Sequence, residues 1–199
     1  MTNHYVIAEF VHHMAKKHRR IDILVKNAGY PFGRKIWKKR FHEVAGEDFE
    51  RVVEVDVKET FRLSQLAIPL MINNTCSSST ERSGGVIINI ASTPAISGYM
   101  GGAYYRITKA GVIAITKHIA LEYGHRNIWA RPLVLGKIYT EATFSSMTMT
   151  ERKKAAIENS MKRWGDPRQV ATIAASQASE DFAFATGNTI VMDGGTVLL

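Results

Sequence analysis

Three residues near the middle of the chain have side chains that could carry out proton transfer: Ser92, Tyr105 and Lys109. Tyr105 and Lys109 are four residues apart, so a helix brings them onto one face, one turn apart. A free phenol titrates near ~10, and an ammonium within a few ångströms is expected to lower that pKa by about 1–3 units. A tyrosine tuned in this way is a usable general acid or base near neutral pH. The Ser92 hydroxyl could hold a substrate oxygen against the phenol.

The elements that must position these residues are a strand, a loop and a helix. Residues 86–91 form a short β-branched apolar run, which predicts a buried strand ending at Ser92. A proline- and glycine-rich loop follows, and a helical pattern begins at Ala103. Tyr-x-x-x-Lys is also a common spacing on helix surfaces, but the serine and the glycine loop favour a site. Tyr104 competes with Tyr105, yet the residue four positions after it is Thr108, so the spacing favours Tyr105.

Ser92, Tyr105 and Lys109 at this spacing resemble the catalytic set of the short-chain dehydrogenase/reductases. Three further segments resemble motifs of that family in the same order. They are Asp22 to Gly29, which resembles its Asn-Asn-Ala-Gly segment, Gly136 to Thr140, which resembles Pro-Gly-x-x-x-Thr, and Asp193-Gly194-Gly195. The resemblance covers nearly all of the chain. It implies an α/β fold, with a Rossmann-like parallel sheet flanked by helices, and hydride transfer between NAD or NADP and an alcohol or ketone.

The resemblance also implies roles for individual residues. Tyr105 would be the acid/base, Lys109 would tune it, and Ser92 would hold the substrate. Asp56 would be an altered fourth member of the catalytic set. The residues implied to contact NAD or NADP are Asn27, Ala28, Gly29, Gly136, Ile138 and Thr140. No metal site is expected, because the seven histidines show no ligand spacing matched to carboxylates or cysteines.

The sequence departs from the family pattern at several of these positions. Lys26 replaces the first asparagine of Asn-Asn-Ala-Gly, so one side-chain contact is expected to be lost. Asp56 stands where the family has asparagine; it could hold the same water and strengthen the charge of Lys109, or it could mark a site that has drifted. Leu135 replaces the proline of Pro-Gly, and Pro132 falls inside the strand predicted at residues 128–135, where it cannot donate to the sheet.

The sequence contains no Gly-x-x-x-Gly-x-Gly after a strand, the motif that holds the cofactor pyrophosphate at a helix N-terminus. We therefore expect residues 1–199 to be a single Rossmann-type domain that is truncated at its N-terminus. The strand predicted at residues 21–25 would then be an exposed edge. Binding of NAD or NADP would be weak or absent, since parts remote from the reacting carbon supply much of the binding energy. The alternative is a reading frame that starts earlier and encodes an intact enzyme.

The composition limits the classes of protein to which the chain can belong. The chain has 199 residues, of which 45% are hydrophobic and 22% charged, as in an ordinary globular domain. The single cysteine, Cys76, excludes an internal disulfide and fits a reducing, cytoplasmic location. No apolar run reaches the ~18 residues of a membrane span, and no signal peptide is recognised. The net charge is +8, but the basic residues are scattered, so a nucleic-acid partner is not expected.

Two long helices are predicted, at residues 48–74 and 103–124, and a helix-prone segment at residues 141–163 resembles the family's substrate-covering lid. The resemblance implies that the two long helices form a homodimer or homotetramer. The expected substrate is a small alcohol or ketone, with 3-oxoacyl thioester, sugar and steroid all compatible. The alternative function is a catalytically impaired relative that acts as an interaction or dimerisation protein.

Overall fold

The computed structural model describes residues 4–29, 37–74, 84–98 and 100–198. Within these residues, four strands form one parallel sheet in sequence order. They are β1 (Ile23–Lys26), β2 (Gly85–Ser92), β3 (Ile128–Leu135) and β4 (Ile190–Met192). The predicted α/β class with a parallel sheet is confirmed.

Helices connect and cover the strands. The described α-helices are α1 (His4–His18), α2 (Gly46–Val53), α3 (Glu59–Ile72), α4 (Ala103–Tyr123), α5 (Glu141–Ser145), α6 (Met149–Ala156) and α7 (Pro167–Ala178). A π-helical turn, Glu54–Lys58, joins α2 to α3, so the helix predicted at residues 48–74 is continuous but locally widened. Such turns insert an extra residue and often occur at functional sites. The predicted helix at residues 103–124 corresponds to α4.

The two central strands are apolar throughout because both faces of the sheet are covered. Side chains alternate between the faces, so each strand contributes to two cores. One core lies against α3 and α4 and includes Ile87 and Ala91 of β2 with Ile128, Ala130 and Val134 of β3. The other lies against α7 and includes Val86 and Ile88 of β2 with Trp129 and Leu133 of β3.

Pro132 lies inside β3 without interrupting it. Amides of successive strand residues point to alternate sides, so Pro132 and Ala130 face the same side of the strand. On that side the Ala130 amide donates to the Thr186 hydroxyl (3.1 Å), because β4 begins only at Ile190. The missing donor of Pro132 therefore falls beside the segment that precedes β4. Pairing with β2 continues from Ile128 to Leu135.

Arg131 is fully buried on the α7 side of the sheet. Its guanidinium donates to the carbonyls of Gln177, Phe182 and Ala185. It also lies 5.0 Å from the ring centre of Trp129. One arginine thus supplies donors to the end of α7 and to the turn after it, where carbonyls would otherwise lack partners. The side chain points away from the face of the sheet that carries α4.

β1 is the outer strand of the described sheet, as predicted for residues 21–25, although it spans Ile23–Lys26. Its side chains Ile23 and Val25 are 52% and 47% exposed. The Asn74 amide donates to the carbonyls of Ile21 and Gly84 (2.8 Å each), which fixes the entry to β1 against the entry to β2. Across the described ranges, every helix is too short or too polar to cross a bilayer.

Candidate functional site

The candidate site lies at the carboxyl ends of β1, β2 and β3. In an open parallel sheet this is the edge at which ligands bind. Ser92 is the last residue of β2, and Gly102, with a φ of 61°, begins the turn into α4. A left-handed φ suits glycine, and an added methyl group would also lie 2.7 Å from the Trp37 ring. The glycine loop therefore lets α4 start close to Trp37.

The Ser92 side chain lies near Tyr105, and its capacity to hydrogen-bond with the phenol lowers the pKa of Tyr105. The Ser92 hydroxyl also donates to the Leu135 carbonyl (3.2 Å), so the ends of β2 and β3 hold it in place. Burial raises the pKa of Tyr105, the hydrogen bond with Ser92 opposes this, and the Asp56 carboxylate raises it further. The expectation that Lys109 sets a lowered pKa is wrong for the described chain, because the loss of solvation outweighs the favourable contacts of the phenol.

Lys109 lies one helical turn from Tyr105 and is buried. Its ammonium is 5.7 Å from the centre of the Tyr105 ring, so the two residues share a face of α4 as the spacing predicts. The same nitrogen is 3.4 Å from Asp56 Oδ1 and donates to the Ile90 carbonyl (3.3 Å). The cation is thus held between β2 and the π-helical turn.

Asp56 is fully buried in the π-helical turn. Its Oδ1 faces Lys109, and its Oδ2 accepts a hydrogen bond from the Thr108 hydroxyl (2.9 Å). A methyl group on Gly29 would lie 3.3 Å from both Asp56 Oδ1 and Lys109 Nζ. A buried carboxylate requires such partners, because losing its hydration is costly. Asp56 is therefore part of the same cluster as Lys109.

Lys26 makes contacts that the resemblance to the family motif did not predict. Its ammonium donates to the Ala28 carbonyl and to the Val55 carbonyl (3.0 Å). Burial and the positive charge of Lys109 lower the pKa of Lys26, while Asp56 and Glu59 raise it. The replacement of asparagine thus creates new bonds at this position instead of only removing one.

A cleft lies next to the site, and Trp37, which is part of its lining, connects it to Tyr105. The Trp37 ring lies 5.5 Å from the Tyr105 ring, tilted by 58°, and the Trp37 carbonyl accepts from the Gly102 amide (2.9 Å). The cleft has a volume of about 700 Å³, and its described lining includes Lys38, Arg40, Met100 and Arg106. Residues 37–41 line this cleft, while residues 30–36 lie outside the described part.

The six predicted cofactor residues form two groups. Asn27, Ala28 and Gly29 are exposed just after β1. In the group after β3, Gly136 is packed so tightly that a methyl group would lie 2.5 Å from Asp193 Cβ. Two further members have local contacts: the Ile138 side chain packs on Gly165, and the Thr140 hydroxyl accepts from the Thr143 amide (3.1 Å) to cap α5. The two groups flank Ser92 at the sheet edge.

The segment predicted as a lid forms α5, α6 and the turns around them. The Phe144 ring packs edge-on against Tyr139 and Trp164 (4.6 and 4.9 Å between centres). At the end of the segment, the Met161 amide donates to the Gly194 carbonyl (3.1 Å), and the Ser160 hydroxyl donates to the Gly195 carbonyl (2.9 Å). The Asp-Gly-Gly segment after β4 therefore anchors the region predicted to cover the substrate.

Two features of the site were missed at the level of sequence. Thr108 was noted only as a neighbour of the rival tyrosine, yet it donates to Asp56. The signal was available, because Thr108 precedes Lys109 and a buried carboxylate needs a donor. The bond from Lys26 to Val55 had no comparable signal, since the two residues are 29 positions apart.

Comparisons with known proteins identify relatives over nearly the whole chain. Residues 1–197 match a family model described as Enoyl-(Acyl carrier protein) reductase. The chain is 33% identical over 190 residues to a 7alpha-hydroxysteroid dehydrogenase of Bacteroides fragilis, covering 96% of this chain and 70% of that protein. It is 33% identical over 198 residues to the 3-oxoacyl-[acyl-carrier-protein] reductase FabG of Thermotoga maritima, covering 100% of this chain and 75% of that protein.

A solved structure gives the same result for the fold. A proposed gluconate dehydrogenase from Agrobacterium tumefaciens superimposes with a TM-score of 0.86 at 26% sequence identity. The match covers 99% of this chain and 74% of that one. The names of the three proteins refer to a 7alpha-hydroxysteroid, a 3-oxoacyl-[acyl-carrier-protein] and gluconate. The shared feature is therefore the oxidoreductase scaffold and not one substrate.

Proposed function

Because the chain belongs to the short-chain dehydrogenase/reductase family, we propose that it is an NAD(P)-dependent oxidoreductase that interconverts an alcohol and a ketone, with Tyr105 as the acid/base. The observation that carries this proposal is that Tyr105 and the buried Lys109 share one face of α4, with the Lys109 ammonium 5.7 Å from the centre of the Tyr105 ring, at the end of β2 that carries Ser92. A phenol, a hydroxyl and an ammonium meet at the edge of the sheet where ligands bind. This set is able to position and protonate one substrate oxygen.

In the direction of ketone reduction, the Tyr105 phenol donates its proton to the carbonyl oxygen, and the Ser92 hydroxyl turns from the Leu135 carbonyl to donate a hydrogen bond to the same oxygen. The chemistry that a nicotinamide cofactor would supply, when held at this edge of the sheet, is the donation or acceptance of a hydride. In the direction of alcohol oxidation, the Tyr105 phenolate takes the hydroxyl proton. In this proposal the Lys109 ammonium, 5.7 Å from the centre of the Tyr105 ring, offsets part of the cost that burial imposes on that phenolate.

Residues on both sides of Ser92 fit the nicotinamide and its ribose. The exposed run Asn27, Ala28 and Gly29 lies next to Lys109, which can donate to a ribose hydroxyl. Gly136, Ile138 and Thr140 offer backbone groups and a hydroxyl after β3. Gly29 supports this assignment, because it leaves no side chain between the loop and the Lys109 ammonium. NAD and NADP remain equal candidates.

The substrate would enter through the cleft beside Trp37, with the segment at residues 141–163 as its cover. Two observations support this route. The Trp37 ring touches the ring of Tyr105, and the cleft is open and large enough for a small molecule. The hydrogen bonds from residues 160 and 161 to the carbonyls of Gly194 and Gly195 keep the segment at residues 141–163 close to the sheet edge.

The enzyme would work as a homodimer or homotetramer through α3 and α4. Apolar side chains remain exposed along these helices, and their spacing brings them onto one face of each. They are Phe61 and Ile72 on α3 and Ile107, Ala110, Ala114 and Leu121 on α4. Leu121 is 85% exposed in the single chain. Light scattering in solution tests this arrangement, and a monomeric mass would contradict it.

The second candidate function is a non-catalytic member that acts through protein contacts. The exposed edge strand β1 and the replacement of two amides by Lys26 and Asp56 favour it. Cofactor binding separates the two candidates. We expect NADH or NADPH to change its fluorescence on titration and to be consumed with at least one ketone from a panel of 3-oxoacyl thioesters, sugars and steroids. No binding of either cofactor at millimolar concentration would reject the enzyme and support the interaction protein.

A further inference from the structure

Lys26 is a buried ammonium that the proposed chemistry does not use. It is the last residue of β1, only 5% of its surface is exposed, and it stands where the family motif has asparagine. Burying an ammonium is costly unless hydrogen bonds and an opposite charge balance it. The position of this lysine therefore needs a physical explanation.

The hydrogen bonds of Lys26 join two parts of the site. Its ammonium donates to the Ala28 carbonyl, in the loop after β1, and to the Val55 carbonyl at 3.0 Å. The Val55 carbonyl belongs to the peptide bond that leads into Asp56, within the π-helical turn. Lys26 thus fixes the backbone from which the Asp56 side chain extends toward Lys109.

Among the described residues, Lys109, Asp56 and Glu59 are those whose charges act on Lys26. Lys109 and Asp56 form the buried pair, and Glu59 follows the π-helical turn. Asp56 and Glu59 raise the pKa of Lys26, while burial and Lys109 lower it. In return, the positive charge of Lys26 lowers the pKa of Glu59, although burial raises it more. The fully buried Asp56 carboxylate therefore pairs directly with Lys109, and the charge of Lys26 acts on it from the neighbouring backbone.

We propose that Lys26 is a positioning residue and that it forms a matched pair with Asp56. Lys26 holds the Val55–Asp56 peptide and supplies part of the positive charge that keeps the Asp56 carboxylate stable beside Lys109. The two replacements of asparagine then compensate each other. Lys26 without Asp56 would be a buried cation with less balancing charge, and Asp56 without Lys26 would lose the hydrogen bond that fixes the preceding peptide. The effect on catalysis rests on the proposed function, whereas the effect on folding does not.

A double-mutant cycle tests the pair. Lys26→Met, Asp56→Asn and the double variant are compared with the wild type by urea unfolding, without substrate or cofactor. If the two changes acted independently, their fold-losses in the folding equilibrium constant would multiply. We expect the folding equilibrium constant of the double variant to be at least about 5-fold higher than that product predicts, because the two residues interact. If Lys26→Met does not fold, Lys26→Gln replaces it in the same cycle.

Lys58 provides the matched control. It lies in the π-helical turn that also holds Asp56, but it pairs with Glu54 at the surface (2.7 Å). The cycle of Lys58→Met with Asp56→Asn should be additive within about 2-fold, because an exposed pair contributes little. A Lys26–Asp56 cycle that is equally additive would overturn the proposal.

The pH profile of turnover separates positioning from simple structural support. In Lys26→Met, the charge of Asp56 is less balanced and raises the pKa of Tyr105 further, so the rise of alcohol oxidation should move to higher pH. The double variant should return it toward the wild-type position. If the wild type shows turnover and the pH profile of Lys26→Met does not shift, the proposed effect of Lys26 on catalysis is refuted. Strong coupling in a chain without any turnover would instead refute the proposed function and leave the matched pair intact.

Discussion

Asp56 Oδ1 lies 3.4 Å from Lys109 Nζ, although the Asp56 side chain has no exposed surface. The pair is held by a hydrogen bond from Thr108 and by the close approach of Gly29. Isolated buried ions are strongly disfavoured, so each member depends on the other. The site is therefore organised around this ion pair, one helical turn from Tyr105.

Gly29→Ala should impair the site more than the fold. The added methyl group would lie 3.3 Å from both charged atoms, so the pair must shift by a few tenths of an ångström. The crowding costs about 1 kcal/mol, and the lower entropy of the unfolded chain returns a similar amount. We expect the free energy of unfolding to stay within about 1 kcal/mol of wild type, while the kcat of ketone reduction falls. Gly46→Ala is the control, since no atom lies within 4 Å of its added methyl group; equal kcat in the two variants would count against the prediction.

Ser92→Ala and Asp56→Asn should shift the pH dependence of alcohol oxidation in opposite directions. Oxidation requires the Tyr105 phenolate, so its rate rises with pH through the pKa of Tyr105. The hydrogen bond with Ser92 lowers that pKa and the charge of Asp56 raises it. The midpoint of the rise should therefore move to higher pH in Ser92→Ala and to lower pH in Asp56→Asn. Shifts of the same sign in both variants would contradict this description of the site.

Arg131→Met should destabilise the fold and leave the chemistry intact. The change removes the donor to three carbonyls, among them those of Gln177 and Phe182, and we expect a loss of roughly 2–4 kcal/mol in the free energy of unfolding. Arg131 lies on the α7 face of the sheet, so the kcat of the folded fraction should stay near wild type. Arg168→Met, at an exposed position of α7, is the control and should cost less than about 0.5 kcal/mol. Equal stability in the two variants would show that the buried guanidinium contributes nothing.

The sheet and the spacing of the site could be predicted because local pattern determines them. The apolar runs at residues 86–91 and 128–135 correspond to β2 and β3, and the helical spacing brings Tyr105 and Lys109 onto one face of α4. The edge position of β1 followed from the order of the motifs. These features depend on periodicity and chain order, which a single sequence displays.

The details that were not predicted depend on partners distant in sequence. The raised pKa of Tyr105 results from burial, which spacing alone does not reveal. The bond from Lys26 to Val55 and the bonds from Arg131 to three carbonyls each join residues from separate elements. A buried charge signals that partners must exist, but their identity follows only from the packed structure.

The central claim is that Tyr105 is the acid/base of hydride transfer. Tyr105→Phe removes only the hydroxyl, so cofactor affinity should stay within about 2-fold while turnover falls by about 10²–10⁴-fold, the usual contribution of general acid–base catalysis. Tyr104→Phe, at the buried neighbouring position, should retain turnover. The decisive measurement is kcat and cofactor Kd for these two variants under identical conditions. A loss confined to Tyr105→Phe is the predicted result, and wild-type turnover in Tyr105→Phe would contradict the assignment.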